Sequence, residues 1–188
     1  MILLFLFIIV LFSVWIQYRR VTYLGNFVIE KGLSVDVSHP IDGTTAHTLY
    51  QLRTRANRLV QALDTEFPND VYVLRLKQRF TGSIHELEHG RVGVFGYNRN
   101  KGDISVCLHD KQNKSNRFND IFFVLMHEMS HMMTNTFEHD QTFEQQFTRM
   151  IRIAVKYGLY EYVDYGKTPS AFCNGYIQQT PYRKKIRE

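Results

Sequence analysis

The sequence predicts one α+β domain with a small antiparallel sheet. Its 188 residues and mass of 22.3 kDa suit a single domain with an appendage. Hydrophobic residues make up 44% of the chain, which is enough for a core and too many for a disordered protein. The hydrophobic patterns, read in order, predict a helix, three strands and two further helices, without an internal repeat.

The first sixteen residues, MILLFLFIIVLFSVWI, contain one polar side chain, Ser13. A helix reaching Tyr18 would be roughly 27 Å long, just short of a hydrocarbon core of about 30 Å. Arg19 and Arg20 follow, and they predict a single-pass anchor over 1–18 with the rest of the chain on the cytosolic side of the membrane. A cleaved signal peptide is the main alternative, but the segment lacks a basic start and a small-residue cleavage site. A buried core helix would seldom be apolar on every face.

Residues 19–43 carry several Gly and Pro residues and predict a linker with short strands at 27–29 and 33–37. Apolar residues then recur at helical spacing, which predicts an amphipathic helix over 45–66. Pro68-Asn69-Asp70 ends this helix. Apolar and basic residues alternate over 71–80, which predicts a half-buried strand.

The middle of the chain predicts a polar loop over 81–90, a second strand over 92–97, a turn over 98–102 and a third strand. Ile104, Val106 and Leu108 line one face of that third strand. After a loop over 110–118, Asn119 or Asp120 caps a helix that runs to about Thr136. Asp140 begins a last helix that ends at Gly158, and an irregular aromatic segment follows.

The net charge of +5 raises the question of nucleic-acid binding. The basic excess, however, lies at Arg19 and Arg20 and in the tail 183–188, whereas residues 21–182 sum to zero. A neutral domain argues against specific nucleic-acid recognition. The only two cysteines, Cys107 and Cys173, exclude a disulfide framework and suit a reducing environment, with room for one bridge.

Two segments match HExxH: His85 to His89 (HELEH) and His127 to His131 (HEMSH). With eight His and nine Glu, a random match is expected in roughly one such chain in fifty, so the context must decide. The motif needs a helix, because the first and last His then share one face and reach one Zn²⁺. Glu128, the second residue, can take a proton from water there. Residues 120–136 form a strong helix, whereas glycines flank the 85–89 segment, which we predict to be a loop.

A catalytic zinc site takes three protein ligands and leaves one position open. His139 is the next histidine after His131, behind a seven-residue spacer. It is the favoured third ligand, and Glu138 and Glu144 are the alternatives. Ordinary helix histidines at 127 and 131 are disfavoured, because an imidazole pair among apolar residues is costly to bury without a partner.

Three segments together resemble the minigluzincin metallopeptidases of the WLM and SprT type. They are NRNKGDISVCL (98–108), LMHEMSH (125–131) and HDQTF (139–143). The resemblance covers about residues 70–157 and is closer still to HExxH proteins of large nucleocytoplasmic DNA viruses, some with N-terminal anchors. The spacer before His139 is longer than the five residues typical of WLM domains. We do not carry over the DNA-repair function of that family.

The resemblance implies a zincin-like metallopeptidase domain over 44–182, between the anchor and linker and a basic tail. His127, His131 and His139 would hold Zn²⁺, and Glu128 would act as general base on a protein or peptide substrate. Strand 103–109 would present an edge to that substrate. An oxyanion partner stays open among Tyr97, Tyr165 and Tyr176. The alternative is a structural or minor capsid protein that links an internal virion membrane to other virion or capsid proteins.

Overall fold

The computed structural model describes residues 27–30, 33–36, 43–87, 94–99 and 101–181. These ranges contain four helices and seven short strands, which confirms the predicted α+β class. The helices are α1 (Gly43–Glu66), α2 (Val71–Arg79), α3 (Phe118–Met133) and α4 (Gln141–Lys156). The strands are β1 (Phe27–Glu30), β2 (Leu33–Asp36), β3 (Ile84–Glu86), β4 (Gly96–Arg99), β5 (Asp103–Val106), β6 (Ser170–Phe172) and β7 (Gly175–Ile177).

The predicted anchor over 1–18, the basic tail over 183–188 and most of the predicted linker lie outside the described residues. Within the predicted linker, β1 and β2 pair as an antiparallel hairpin, close to the two strands expected there. Of the helices that the structure does describe, none combines the length and apolar composition that a bilayer crossing requires.

Helix α3 lies at the centre of the fold and contacts α1, α2, α4, β4 and β5. Its sequence explains this position, because nearly every residue after the first turn is apolar and buried. A helix that is apolar on almost all sides has to be covered on almost all sides. Helix α4 covers one flank with its buried apolar residues, which include Phe143, Phe147, Met150, Ile151 and Ala154.

The strand predicted over 71–80 is wrong, because this segment is helix α2. Asp70 caps it: its Oδ1 accepts the backbone N–H groups of Tyr72 at 2.9 Å and Val73 at 3.2 Å. The buried residues are Val73 and Leu76, a helical spacing of three, whereas Leu74 is 46% exposed. The alternation of apolar and basic residues is therefore compatible with a strand and with a helix, and the cap at Asp70 favours the helix.

The main sheet has the order β3-β5-β4 and is mixed, so the expectation of a purely antiparallel sheet is wrong. Strand β4 pairs with β5 antiparallel through the predicted turn, while β3 pairs with β5 parallel. Strand β3 contains His85 and Glu86 of the first HExxH segment, which is therefore extended there and not a loop. Glu88 and His89 lie outside the described residues. Because β5 is central, with buried residues on both faces, its edges are already paired.

The N-terminus of α3 is tied to the C-terminal segment through Asp120. This residue is not the N-cap, since the cap position is Arg117, and it lies buried in the first turn. Its carboxylate accepts hydrogen bonds from the hydroxyls of Tyr165 at 2.6 Å and Ser170 at 2.7 Å, and from the Arg117 guanidinium at 2.9 Å. The buried charge is thus satisfied on several sides, as burial of a carboxylate requires.

The β6–β7 hairpin is held against the main sheet by a disulfide between Cys107 and Cys173, whose Cα atoms are 6.3 Å apart. Cys107 directly follows β5, and Cys173 lies in the hairpin turn with a φ of 53°. The ring of Phe172 packs edge-on against Phe95 at a centroid distance of 5.4 Å. Because both cysteines are paired in this bridge, the low cysteine count no longer indicates a reducing environment.

We expect Asp70→Ala to lower the free energy of unfolding by about 1–2 kcal/mol, because it removes the cap of α2. It also removes the ion pair of Asp70 with Arg149 at 2.8 Å. Asp70→Asn keeps the capping oxygen and loses the charge, so it should cost less than about 1 kcal/mol. Urea denaturation of the full-length protein measures both. An equal loss in the two variants would assign the effect to the ion pair and contradict the cap.

Candidate metal centre

Helix α3 brings His127 and His131 to one face, four residues apart, with ring centroids separated by 5.1 Å. The ring of His139 lies 4.8 Å from that of His127 and 4.9 Å from that of His131. One donor nitrogen from each ring lies within 4.8 Å of the other two, close enough for a common ion. The structure thus confirms the predicted clustering of these three histidines.

His139 returns to α3 through a short reversal of the chain. Helix α3 ends at Met133, its C-cap Thr134 is extended and buried, and helix α4 begins after its N-cap, Asp140. The Asp140 carboxylate accepts the backbone N–H of Phe143 at 2.8 Å and the hydroxyl of Thr136 at 3.2 Å. The seven-residue spacer therefore ends at a capped helix start, which fixes the backbone next to His139.

The ring of Phe143 forms an apolar floor beneath the three imidazoles. It stacks on His131 at 4.3 Å and contacts His139 at 4.7 Å and His127 at 4.9 Å. The side chain is 1% exposed, so its position is set by the core. It limits the orientations of all three rings, since a buried aromatic side chain has few alternative rotamers.

The electrostatics of the site suit a cation better than protonated imidazoles. Burial and the neighbouring histidines lower the pKa of His127 to about 3. Burial, His139 and Lys101 lower the pKa of His131 to about 4. Both rings are neutral at pH 7 and keep a nitrogen lone pair for a metal.

Two further observations test whether a metal fits. The Nε2 atoms of His127 and His139 face each other at 2.9 Å, and tetrahedral zinc would hold such nitrogens about 3.4 Å apart. Nδ1 of His131 is buried and has no hydrogen-bond partner among the described residues. Three clustered ring nitrogens near the required spacing, with one ring nitrogen of His131 lacking a partner in the described part of the chain, fit a divalent metal that prefers nitrogen ligands.

Glu128 lies beside the histidines and points towards β4. Its side chain is 6% exposed, and burial raises its pKa to about 7. A Cβ atom added at Gly96 would lie 3.1 Å from Oε1 of Glu128 and 3.0 Å from the Ser105 carbonyl oxygen. Asn98 donates to the backbone carbonyl of Glu128 at 3.2 Å. Gly96 thus leaves room for the carboxylate against β4, and a side chain there would require Glu128 or the strand to shift.

The histidines lie between two clefts. One, of about 480 Å³, is largely apolar and lies along β4, with Tyr97 and Ile177 in its walls. The other, of about 590 Å³, lies along α4 and the C-terminal segment and includes Glu144 and Asp164. Both share Phe123, His127 and His139 as lining residues. A chain crossing the site could therefore occupy space on both sides of the histidines.

The other predicted ligands are not part of the histidine cluster. Glu138 and Glu144 are exposed, and within the part of the chain that the structure describes, the metal cluster contains only the three histidines. His85 is in β3, where its Nε2 lies 2.8 Å from the Ser83 hydroxyl, and His89 lies outside the described residues. Of the two HExxH segments, the second therefore contributes both of its histidines to the cluster.

The three tyrosines considered as oxyanion partners differ in position. Tyr165 is fully buried and donates to Asp120; burial, the neighbouring Tyr160 and this bond raise its pKa well above the usual range. Tyr176 is 60% exposed and does not line either cleft. Tyr97 lines the apolar cleft and is 39% exposed. Tyr97 is the one of the three that borders the histidine site.

Sequence reasoning missed the residues that support the site from other elements. Gly96 makes room for Glu128, and Lys101 and Arg79 bind carbonyl groups at the end of α3. Arg79 was predicted to lie on the polar side of a strand, and Lys101 was placed in a turn without a role. No local pattern reveals such contacts, because each joins residues at least 30 positions apart.

Comparisons with known proteins give two viral relatives. An uncharacterised protein of Acanthamoeba polyphaga mimivirus is 25% identical over 91 residues, which cover 48% of this chain and 46% of that protein. An uncharacterised protein of Invertebrate iridescent virus 6 is 26% identical over 96 residues, covering 45% and 54% respectively. The chain spans about half the length of the curated relatives it matches. Neither a protein-family model nor a solved structure matches the chain.

We expect the full-length protein to bind about one Zn²⁺ per chain, measured by elemental analysis after dialysis. His131→Ala should lose it, because a pair of imidazoles binds zinc far more weakly than three. His85→Ala removes the corresponding first histidine of the other HExxH segment and should keep the metal. If His131→Ala kept the zinc and His85→Ala lost it, the metal site would lie in the first HExxH segment, which would contradict this assignment.

Proposed function

We propose that this protein is a membrane-anchored zinc metallopeptidase with a zincin-like domain. The observation that carries the proposal is the placement of Glu128 beside three clustered histidines at the junction of two clefts. The histidines are the ligands and Glu128 is the proton carrier. The resemblance of the HExxH and HDQTF segments to minigluzincin metallopeptidases supports the same assignment.

The three imidazoles are the kind of donor set that zinc prefers, and three protein ligands would leave a position open for the reaction. A zinc ion there would polarise a carbonyl oxygen and lower the pKa of water at its open position. The Glu128 carboxylate accepts a proton from the attacking water as the oxygen adds to the peptide carbon. It then delivers that proton to the nitrogen that leaves, so one water is consumed for each bond broken.

Strand β4 is the element best placed to hold an extended substrate. The expectation that strand 103–109 would do so is wrong, since β5 is paired on both edges. Among the strands that the structure describes, β4 pairs with β5 alone, and Gly96, Tyr97 and Asn98 all line the apolar cleft. A peptide added to the free edge would run past Glu128 with its backbone hydrogen-bonded and its side chains alternating in direction.

The alternative is a structural role in a virion, in which the fold is kept and turnover is not needed. The viral origin of both relatives supports considering it. The two roles differ in their dependence on Glu128, because a scaffold needs the packing of the fold but not a proton carrier.

Glu128→Gln should reduce peptide hydrolysis on the order of 10²–10⁴-fold, because the amide cannot accept the proton. Zinc content and unfolding midpoint should stay near those of the wild type, since Glu128 is not a ligand. Glu161→Gln serves as control: this exposed residue bonds to Asn119 only through its backbone. The readout is cleavage of an unstructured protein such as casein. Equal activity in Glu128→Gln and wild type would refute the enzymatic proposal and favour the structural one.

Deletion of residues 2–18 should move the protein from the membrane fraction to the soluble fraction, because these residues supply the apolar span. Deletion of the basic tail 183–188 is the matched control and should leave the protein with the membrane. Carbonate extraction of expressed protein measures both. Recovery of the intact full-length chain in the soluble fraction would contradict the anchor.

With cytosolic-side-out vesicles, added protease should digest residues 21–188, whereas full protection would place the domain in a lumen.

A further inference from the structure

The last carbonyl groups of α3 are bound by cationic side chains from two other elements. Arg79 Nη1 donates to the carbonyl oxygens of Met132 at 2.9 Å and Thr134 at 2.7 Å. Arg75 Nη1 donates to the carbonyl oxygen of Met133 at 2.7 Å. These carbonyls have no partner within a helix, and cations at a helix C-terminus also interact favourably with its dipole.

Lys101 extends this clamp from the end of the helix into the loop before His139. Its Nζ donates to the carbonyl oxygens of Thr134 at 2.8 Å and Thr136 at 3.0 Å, and more weakly to that of His131 at 3.3 Å. The ammonium also lies 4.6 Å from the ring centroid of Phe137. One side chain therefore joins the second zinc ligand, the helix end and the following loop.

Residues 135–138 need such support because they are exposed and their side chains add little to the core. Phe137 is 70% exposed. Arg79 adds a second restraint there, with its Nη2 at 3.1 Å from Oδ1 of Asn135. Without fixed carbonyl groups at positions 134 and 136, the backbone that leads to His139 would have many accessible conformations.

The position of Lys101 is unusual for a lysine. It occupies the β4–β5 turn with a φ of 56°, a conformation that non-glycine residues adopt rarely. Burial, and then the charges of Arg79 and Arg75, lower its pKa. Three cations thus lie close together at the end of one helix. Their hydrogen bonds to the carbonyl groups of α3 and of the following loop offset their mutual repulsion.

We propose that Lys101 and Arg79 are positioning residues that hold the loop 134–138 in the conformation that presents His139 to the metal. The inference rests on the proposed metal site and assigns a further role outside its ligands. Lys101 acts through the carbonyls of Thr134 and Thr136, and Arg79 acts through Thr134 and Asn135.

Lys101→Met and Arg79→Gln should each weaken Zn²⁺ binding about 10–100-fold, the usual cost of removing a support of a metal ligand. The measurement is competition with a chromophoric chelator, using the full-length protein in detergent. Lys77→Met is the matched control, since Lys77 lies on the same helix as Arg79 and makes an exposed pair with Asp64. Affinity within twofold of wild type in both test variants would overturn the proposal.

A double-mutant cycle separates positioning from general destabilisation. In a His139→Ala background, whose weaker site is followed by direct titration with Zn²⁺, Lys101→Met should cause a much smaller loss of affinity than in the wild-type background, because the main ligand that it positions is already absent. A loss as large as in the wild-type background would mean that Lys101 acts on the whole fold, which contradicts the proposal.

A third measurement needs no metal and no proteolytic activity of the protein itself. Chymotrypsin cleavage after Phe137 in metal-free protein should become several-fold faster in Lys101→Met than in Lys77→Met, because the loop loses its restraint. Unchanged cleavage would overturn the proposal even if zinc binds. Faster cleavage in a protein that binds no zinc would instead refute the metallopeptidase assignment and leave the loop restraint standing.

Discussion

The arrangement of the fold follows from one constraint, the burial of helix α3. Its apolar residues cover almost the whole surface of the helix, so the other helices and the sheet are packed around it. The same helix carries two histidines and a glutamate, which would be costly in such surroundings without partners. They lie on the one side where the packing opens into clefts, and Phe143 of α4 fixes the rings from below. Burial and site geometry are therefore two results of one sequence pattern.

The sequence predicted the features that depend on local signals. Helices α1, α3 and α4 were recognisable from periodicity and from a cap such as Asp140, and the histidine pair from its spacing on a strong helix. Helix α2 was missed because its nine residues fit both the strand and the helix pattern. The contact that identifies the helix is the hydrogen bond of the Asp70 side chain to the backbone N–H of Tyr72. Strand β3 was missed because its three residues pair only with β5, far along the chain.

The site shows the same division between local and distant information. His127, Glu128, His131 and His139 could be selected from the sequence, since motif spacing and a helix start limit the choices. The residues that support these side chains could not be selected in this way. Gly96 matters through its distance to Glu128, and Lys101 through carbonyls more than 30 residues away. Such residues carry no signature of their own, because a glycine in a strand and a lysine in a turn are ordinary in isolation.

The bridge between Cys107 and Cys173 spans a sequence separation of 66 and closes a covalent ring that contains α3, His139 and α4. Closing a ring of this length restricts the unfolded chain by about 4 kcal/mol in loop-entropy terms. All three histidines belong to that ring. A single cut between residues 108 and 172 would yield two chains that stay joined. Such a nicked form would have nearly the mass of the intact protein and would separate into fragments only after reduction.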